Sequence, residues 1–448
     1  MDSSAMTRRA FALCSTFSAL SLTGLSGCSS DGKADEKERP THRCPSWPES
    51  NPSPGTPTWP VPFSGMRDSL SLFGSWLFGT GVDRTVWLRD ARSGRLKWRS
   101  AMGKPSRADK SNQPHYPQVI AAKGQVLFGG GNGDTTGEVV ALCAADGKRM
   151  WRRALPGNQV FEIARSGDIV VAATLENVFG LSAATGKILW RIKVFQAAGI
   201  VSRGEMLIFT HKGKEPFGAM GIDRNTGNMV WGEKIPDAND LGFALSDGLV
   251  HVIGTRVVER SQSDGTIRFV TAPGELRTLS TRNNDLQWNR TLKLRSASDL
   301  LAGEGFLYLL SEDQLLALQS DTGELVWSIS LPDPDIVPQM VLHDGFLIVA
   351  LPVPVGGTYP VFALNPQTGK EQWRVGGDLS SGMVSGPPGM VLTNNGGSVV
   401  AMDTTGGEVI WSSPLKGAVQ IVASDRIYCH DGEEITVYDA STGDPFYG

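Results

Sequence analysis

The chain has 448 residues, 40% of them hydrophobic and 20% charged, with 53 glycines and 12 tryptophans. That length exceeds one ordinary domain unless the domain is a barrel or a repeat array. A formal net charge of -4 gives no sign of a nucleic-acid or polyanion partner, and after residue 30 no apolar run reaches the roughly 18 residues a membrane helix needs.

Residues 7 to 13 read TRRAFAL. A twin arginine, Arg8 and Arg9, ahead of an apolar stretch is an export signal, and the stretch Ala10 to Gly24 is too short for a membrane span. It ends in Leu25-Ser26-Gly27-Cys28, which resembles the lipobox of bacterial lipoproteins. The resemblance implies cleavage before Cys28 and acylation of its thiol, with residues 1–27 as signal peptide. Removing Asp2, Arg8 and Arg9 with that signal takes the net charge from -4 to -5. Residues 29 to 62 hold eight prolines among Ser, Asp, Glu and Lys, a composition that buries too little apolar area to offset ordering entropy. We read 28–62 as a flexible tether and 63–448 as the folded domain. Of the five cysteines, Cys14 leaves with the signal and Cys28 carries lipid. Cys44, Cys143 and Cys429 remain, enough for at most one internal disulfide.

From residue 85 onward a repeat dominates. GEVVALCAADGKRMWRRAL (137 to 155) returns as NVFGLSAATGKILWRIKV, GAMGIDRNTGNMVWGEKI, LLALQSDTGELVWSISL, VFALNPQTGKEQWRVGG and VVAMDTTGGEVIWSSPL, and TVWLRDARSGRLKWRS is an earlier copy. Each is an apolar strand, a polar turn with Gly, and a Trp four residues after that Gly. The tryptophans are Trp98, Trp151, Trp190, Trp231, Trp327, Trp373 and Trp411; Asn284 and Trp288 supply a variant in which Asn replaces Gly. Gly and Asn both tolerate the positive φ of a tight hairpin turn. A second set of glycines, from Gly124 and Gly167 through Gly389, opens an apolar strand upstream of each hairpin. The unit is therefore four antiparallel strands in about 40 residues, which is a propeller blade. Six residues before the turn Gly stands a small residue in six copies, including Ala141, Gly180 and Ala363. This leaves a flat floor for the indole, so each of the eight tryptophans is expected to dock at a blade boundary.

The repeated ALxxxTGKxxW resembles the PQQ-like (quinoprotein-type) repeat family over roughly residues 66 to 443. That family includes quinoprotein alcohol dehydrogenases and the propeller lipoprotein of bacterial outer-membrane assembly. The resemblance implies an all-β, eight-bladed β-propeller, and eight motif tryptophans agree with eight blades. A degenerate turn at Gly443, followed by Tyr447, leaves a ninth open; the last 35 residues are expected to complete the first blade.

The long connections, 100–118, 129–137, 211–218, 254–275 and 351–360, all fall in the class that joins second to third or fourth to first strands, so one face is elaborated. His115, Tyr116, His211, Lys212, Arg256, Arg260 and Tyr359 are the candidate binding residues there. The stretch 256–270, RVVERSQSDGTIRFV, reads as an extra hairpin. The cysteine pair that accompanies PQQ in the resembling dehydrogenases is missing, no CxxCH or GxSxG occurs, and six histidines lie without metal-ligand spacing. The expectation is a binding or scaffold module on the outer face of the bacterial cell membrane (the outer membrane in a Gram-negative cell). It is held there by its lipid and faces protein, peptide or envelope partners, with no cofactor, metal, catalytic residue or nucleic acid. The alternative is an extracytoplasmic enzyme or small-ligand sensor that uses a central cavity.

Overall fold

The computed structural model describes Cys44, residues 61–62 and most of 70–446; the larger intervals outside the described residues are 63–69, 81–84, 102–118, 132–135, 212–216, 262–266, 295–299, 332–337, 352–358 and 378–382. Every described strand belongs to one of nine four-stranded antiparallel sheets. We number these blades 1 to 9: residues 70–101, 119–156, 160–193, 197–235, 240–292, 301–330, 339–377, 383–414, and 418–439 together with Val61–Pro62. They fall into two compact units. One holds blades 1 to 4, and the other holds blades 5 to 9. No described helix is long and apolar enough to cross a membrane.

Blade 3 shows why the repeat folds this way. Val160–Ser166 turns into Ile169–Thr174 through Gly167, at φ 60°. That strand pairs with Asn177–Ser182, which turns through Gly186, at φ 69°, into Ile188–Lys193. Both middle strands are buried along nearly their whole length, whereas the fourth alternates, as expected for strands covered on two faces and an edge strand respectively. The apolar core lies between successive blades. Ile169, Val171 and Val178 of blade 3 pack with Leu207, Phe209 and Ile222 of blade 4, and Ile348 and Ala363 of blade 7 pack with Val391 and Val400 of blade 8.

The expected count of eight is corrected to nine. Residues 418–439 do not complete blade 1, whose four strands all lie in 70–101. They make three strands of their own, and the fourth place is shared by two short pieces. Val61 and Pro62 pair with Ile435 and Glu434, while Phe446 N donates to Val437 O at 2.8 Å. Neither piece carries a motif Trp, so counting tryptophans misses the blade. Proline is tolerated there because an edge strand can lack a donor. The Val61–Pro62 strand thus lies just ahead of residue 63, where the folded domain is expected to start.

Candidate functional site

The motif tryptophans share one geometry. Trp151 pairs across the sheet with Ala141, Trp190 with Gly180, Trp327 with Ala317, Trp373 with Ala363 and Trp411 with Ala401, and in each case a bulge follows immediately in the ladder. The small partner admits the ring, and the bulge re-aims it. The indole then reaches the next blade. Trp98, Trp151 and Trp190 donate Nε1–H to Ala144, Ala183 and Arg224 O, each at 2.8 Å. Trp288, Trp327, Trp373 and Trp411 do the same to Ser320, Pro366, Thr404 and Ala440 O at 2.9 to 3.1 Å. Every acceptor lies three residues before the next blade's turn glycine. A Cβ on those glycines would come within 3.0 Å of the incoming ring, as Gly227 against Trp190 and Gly369 against Trp327 show. Trp231 departs from the pattern: its Nε1 faces Met206 Sδ at 3.2 Å.

An Arg follows the Trp in four copies, a regularity not singled out in the sequence. Arg191 and Arg374 lie over Phe179 and Phe362, their cross-strand partners, at 5.6 and 4.4 Å. Arg152 Nε donates to buried Glu138 Oε2 at 2.6 Å, and Arg191 Nε to Asn177 Oδ1 at 2.9 Å. The signal was the WR dipeptide itself. Between blades 3 and 4, Glu162 accepts from Gly199 N at 2.8 Å and from Ile200 N at 2.6 Å. Burial raises its pKa above the usual carboxylate range, partly countered by those two bonds.

The candidate binding residues meet different fates. His115, Tyr116 and Lys212 lie outside the described residues. His211 ends a strand of blade 4 and is buried, which lowers its pKa to about 4. Burial makes it part of the blade rather than an exposed contact. Tyr359 opens a blade 7 strand, paired with Gly377. Arg256 and Arg260 stand in the extra hairpin, which is real and longer than expected. In blade 5, Leu249–Ser261 and Ile267–Ser280 run as strands of 13 and 14 residues. The flanking strands are shorter: the first reaches only to the pair Asp240 with Thr255, the fourth only to Gly274 with Leu292. Beyond a bulge between Gly254 and Arg256, the two middle strands continue, pairing Arg256 with Ala272 through Ser261 with Ile267. Among the described strands, 256–261 and 267–273 pair only with each other. The result is a two-stranded ribbon that outruns its blade, with both outer backbone edges unpaired in the described ladder.

No group of three or more His, Cys, Asp or Glu arranged to hold a metal occurs among the described residues. His251, buried and with a pKa lowered to about 4 by that burial, is held by Ser246 Oγ and Thr278 Oγ1, each at 2.7 Å. The one free cysteine among the described residues is buried Cys429, whose thiol is pushed up to about 12 by desolvation. Cys44 and Cys143 form a disulfide, with Cα atoms 5.3 Å apart.

Four-stranded blades tied by an indole to the next turn define a β-propeller of PQQ-like repeats. Residues 82–329 and 360–445 match the family described as outer membrane protein assembly factor BamB, and the chain belongs to that family. It is 24% identical to the BamB of Yersinia pestis over 304 residues, 64% of this chain and 73% of that one. It is also 23% identical to the tetrathionate hydrolase of Acidithiobacillus ferrooxidans over 393 residues, 74% and 73% of the two chains. A solved structure of BamB from Moraxella catarrhalis superposes with a TM-score of 0.45 at 16% identity, over 85% of this chain and 99% of that one.

Proposed function

We propose that this chain is an exported, lipid-anchored scaffold that binds polypeptide partners in the bacterial envelope, with the blade 5 ribbon as its working element. The observation that carries the reading is the ribbon's pair of unpaired backbone edges. Such an edge presents N–H and C=O groups at the spacing of a strand, and an extended peptide can add to it by main-chain hydrogen bonds. Propellers protect their edges by short strands and close packing, so a ribbon whose 13- and 14-residue strands outrun their described neighbours in one blade of nine argues for use. Membership in a family described by outer membrane protein assembly supports a setting in which partners are extended or unfinished β-strands. The Cys44–Cys143 bond supports export, because structural disulfides persist outside the reducing cytosol. In this reading Cys28 carries the acyl chains, and two or more of them give stable anchoring.

The test replaces residues 258–270 by Asn-Gly, which closes the ribbon early with a two-residue turn. Partner capture from native membranes should fall at least tenfold while the melting temperature stays within about 2 °C of the parent. Unchanged capture by a folded variant contradicts the assignment. A Cys28→Ala chain found in the soluble envelope fraction supports the anchor, and one that stays on the membrane contradicts it.

A further inference from the structure

We propose that the Cys44–Cys143 disulfide is a latch that sets how closely, and by which end of blade 2, the membrane anchor holds the propeller. The inference rests on the lipid-anchor reading of Cys28 and goes beyond it. Its first observation is the slot that Cys143 occupies. Gly147 N donates to Cys143 O at 2.8 Å, the same bond that Gly94 makes to Asp90, Gly227 to Asp223, Gly369 to Asn365, Gly407 to Asp403 and Gly443 to Asp439. In those five blades the side chain folds its own turn: Asp403 Oδ1 accepts from Thr405 Oγ1 at 2.6 Å and Gly406 N at 2.7 Å, and Asp90 Oδ1 from Ser93 N at 2.7 Å. Asx turns of this kind stabilise a hairpin locally. A cysteine in the slot gives up those bonds, and its sulfur instead joins Cys44, 99 residues earlier. Ser182 and Gln319 accept the same bond in blades 3 and 6, so the slot is not always Asp or Asn; what sets Cys143 apart is its covalent bond to a segment outside the repeat.

The second observation is where that partner lies. Sixteen residues separate Cys28 from Cys44, and 33 separate Cys28 from Val61, where the chain enters blade 9. At about 3.3–3.6 Å per residue the greatest reach is roughly 55 Å with the latch closed and roughly 115 Å without it. The root-mean-square reach of a flexible chain is roughly 22 Å against roughly 32 Å. The closed bond therefore halves the leash. It also makes the tight-turn end of blade 2, beside Gly147, the first folded surface behind the lipid. The opposite end of that blade, with the 129–137 connection, is then directed away from the bilayer. Cys143 is fully buried and Cys44 half-buried, so only the Cys44 sulfur is open to passing thiols.

The lipidated full-length chain on a supported bilayer tests this by neutron reflectometry, with Cys44→Ser and Cys143→Asp as the opened forms. Cys143→Asp restores the residue that four sister blades use, so it should fold, and circular dichroism of each form checks that it does. Denatured without reductant, the parent should titrate one thiol, Cys429; three would overturn the latch. Both opened forms should sit roughly 10 Å farther from the bilayer, in a broader layer. Folded variants in a layer at the parent's distance would overturn the latch while leaving the anchor intact. Failure of every form, the parent included, to build a layer would overturn the anchor and the latch together.

Discussion

Trp190 is held by two things at once: the area its indole buries between blades 3 and 4, and the bond from Nε1–H to Arg224 O at 2.8 Å. Trp190→Ala should lower stability by about 3–5 kcal/mol, the usual range for deleting a buried aromatic. Trp190→Phe keeps much of the area and loses the bond, so it should cost about 1 kcal/mol beyond the smaller ring. Urea unfolding of the two variants separates the contributions: a Trp190→Phe loss no larger than the smaller ring accounts for would mean that the hydrogen bond is immaterial, and equal losses would mean that the buried area is. The spacing of glycine, small residue and tryptophan made this contact legible in the sequence, because all three belong to one hairpin. The direction of the indole was not legible, since the carbonyl it meets lies in the next repeat. His211 and His251 make a second prediction. Both are buried, and their pKa values fall from 6.5 to about 4. The unfolded chain takes up protons below pH 6.5 while the folded chain does not until about pH 4, so stability should drop steadily across that window. Glu162, with its raised value, acts in the opposite sense, contributing stability that is lost as pH rises. A melting temperature constant from pH 6.5 to 4.5 would contradict the histidine assignment.

The repeated hairpin is the element that the sequence states most fully, and its turn chemistry gives a third prediction. Asp403 holds three donors from Thr405 and Gly406. These bonds lower its pKa, the Thr405 hydroxyl most of all. Its contribution is therefore present above the unfolded value near 3.8 and is lost as pH falls through the lower folded value. Asp403→Ala should cost about 1 kcal/mol at neutral pH and progressively less as pH falls below 3.8; an effect that does not change with pH would show that the carboxylate is not the cause. The ribbon was legible as an extra hairpin from the 36 residues between Gly248 and Asn284. Its continuity with the blade strands was not, because a bulge at Gly254 to Arg256 carries one ladder into the next without a turn residue to mark it. Blade 9 was left open by the degenerate turn at Gly443, but its fourth strand was not legible. Val61–Pro62 is too short to show a period, and its proline reads as a loop.

Across the whole molecule, the repeat establishes a nine-bladed scaffold of the BamB family, and what distinguishes this chain is found where the repeat is broken. Cys143 stands where four blades carry Asp and bonds to Cys44; residues 256–273 extend the middle strands of blade 5 past their described neighbours; Asn284 replaces the motif glycine of that same repeat. Loop length signals that a surface is elaborated and not which side chains face solvent. His211 looked available at the end of its strand and proved to be buried. Whether a partner polypeptide uses the ribbon is decided by placing a photo-crosslinking amino acid in turn at Val258 and Val270, cross-strand neighbours in the ribbon, and at Glu205 in the exposed turn of blade 4 as control. Irradiated in native membranes, the ribbon positions should give a discrete adduct of protein mass that disappears when unlabelled parent chain competes, and the control should give none. Equal adducts from all three positions, or none from Val258 and Val270, would contradict that use.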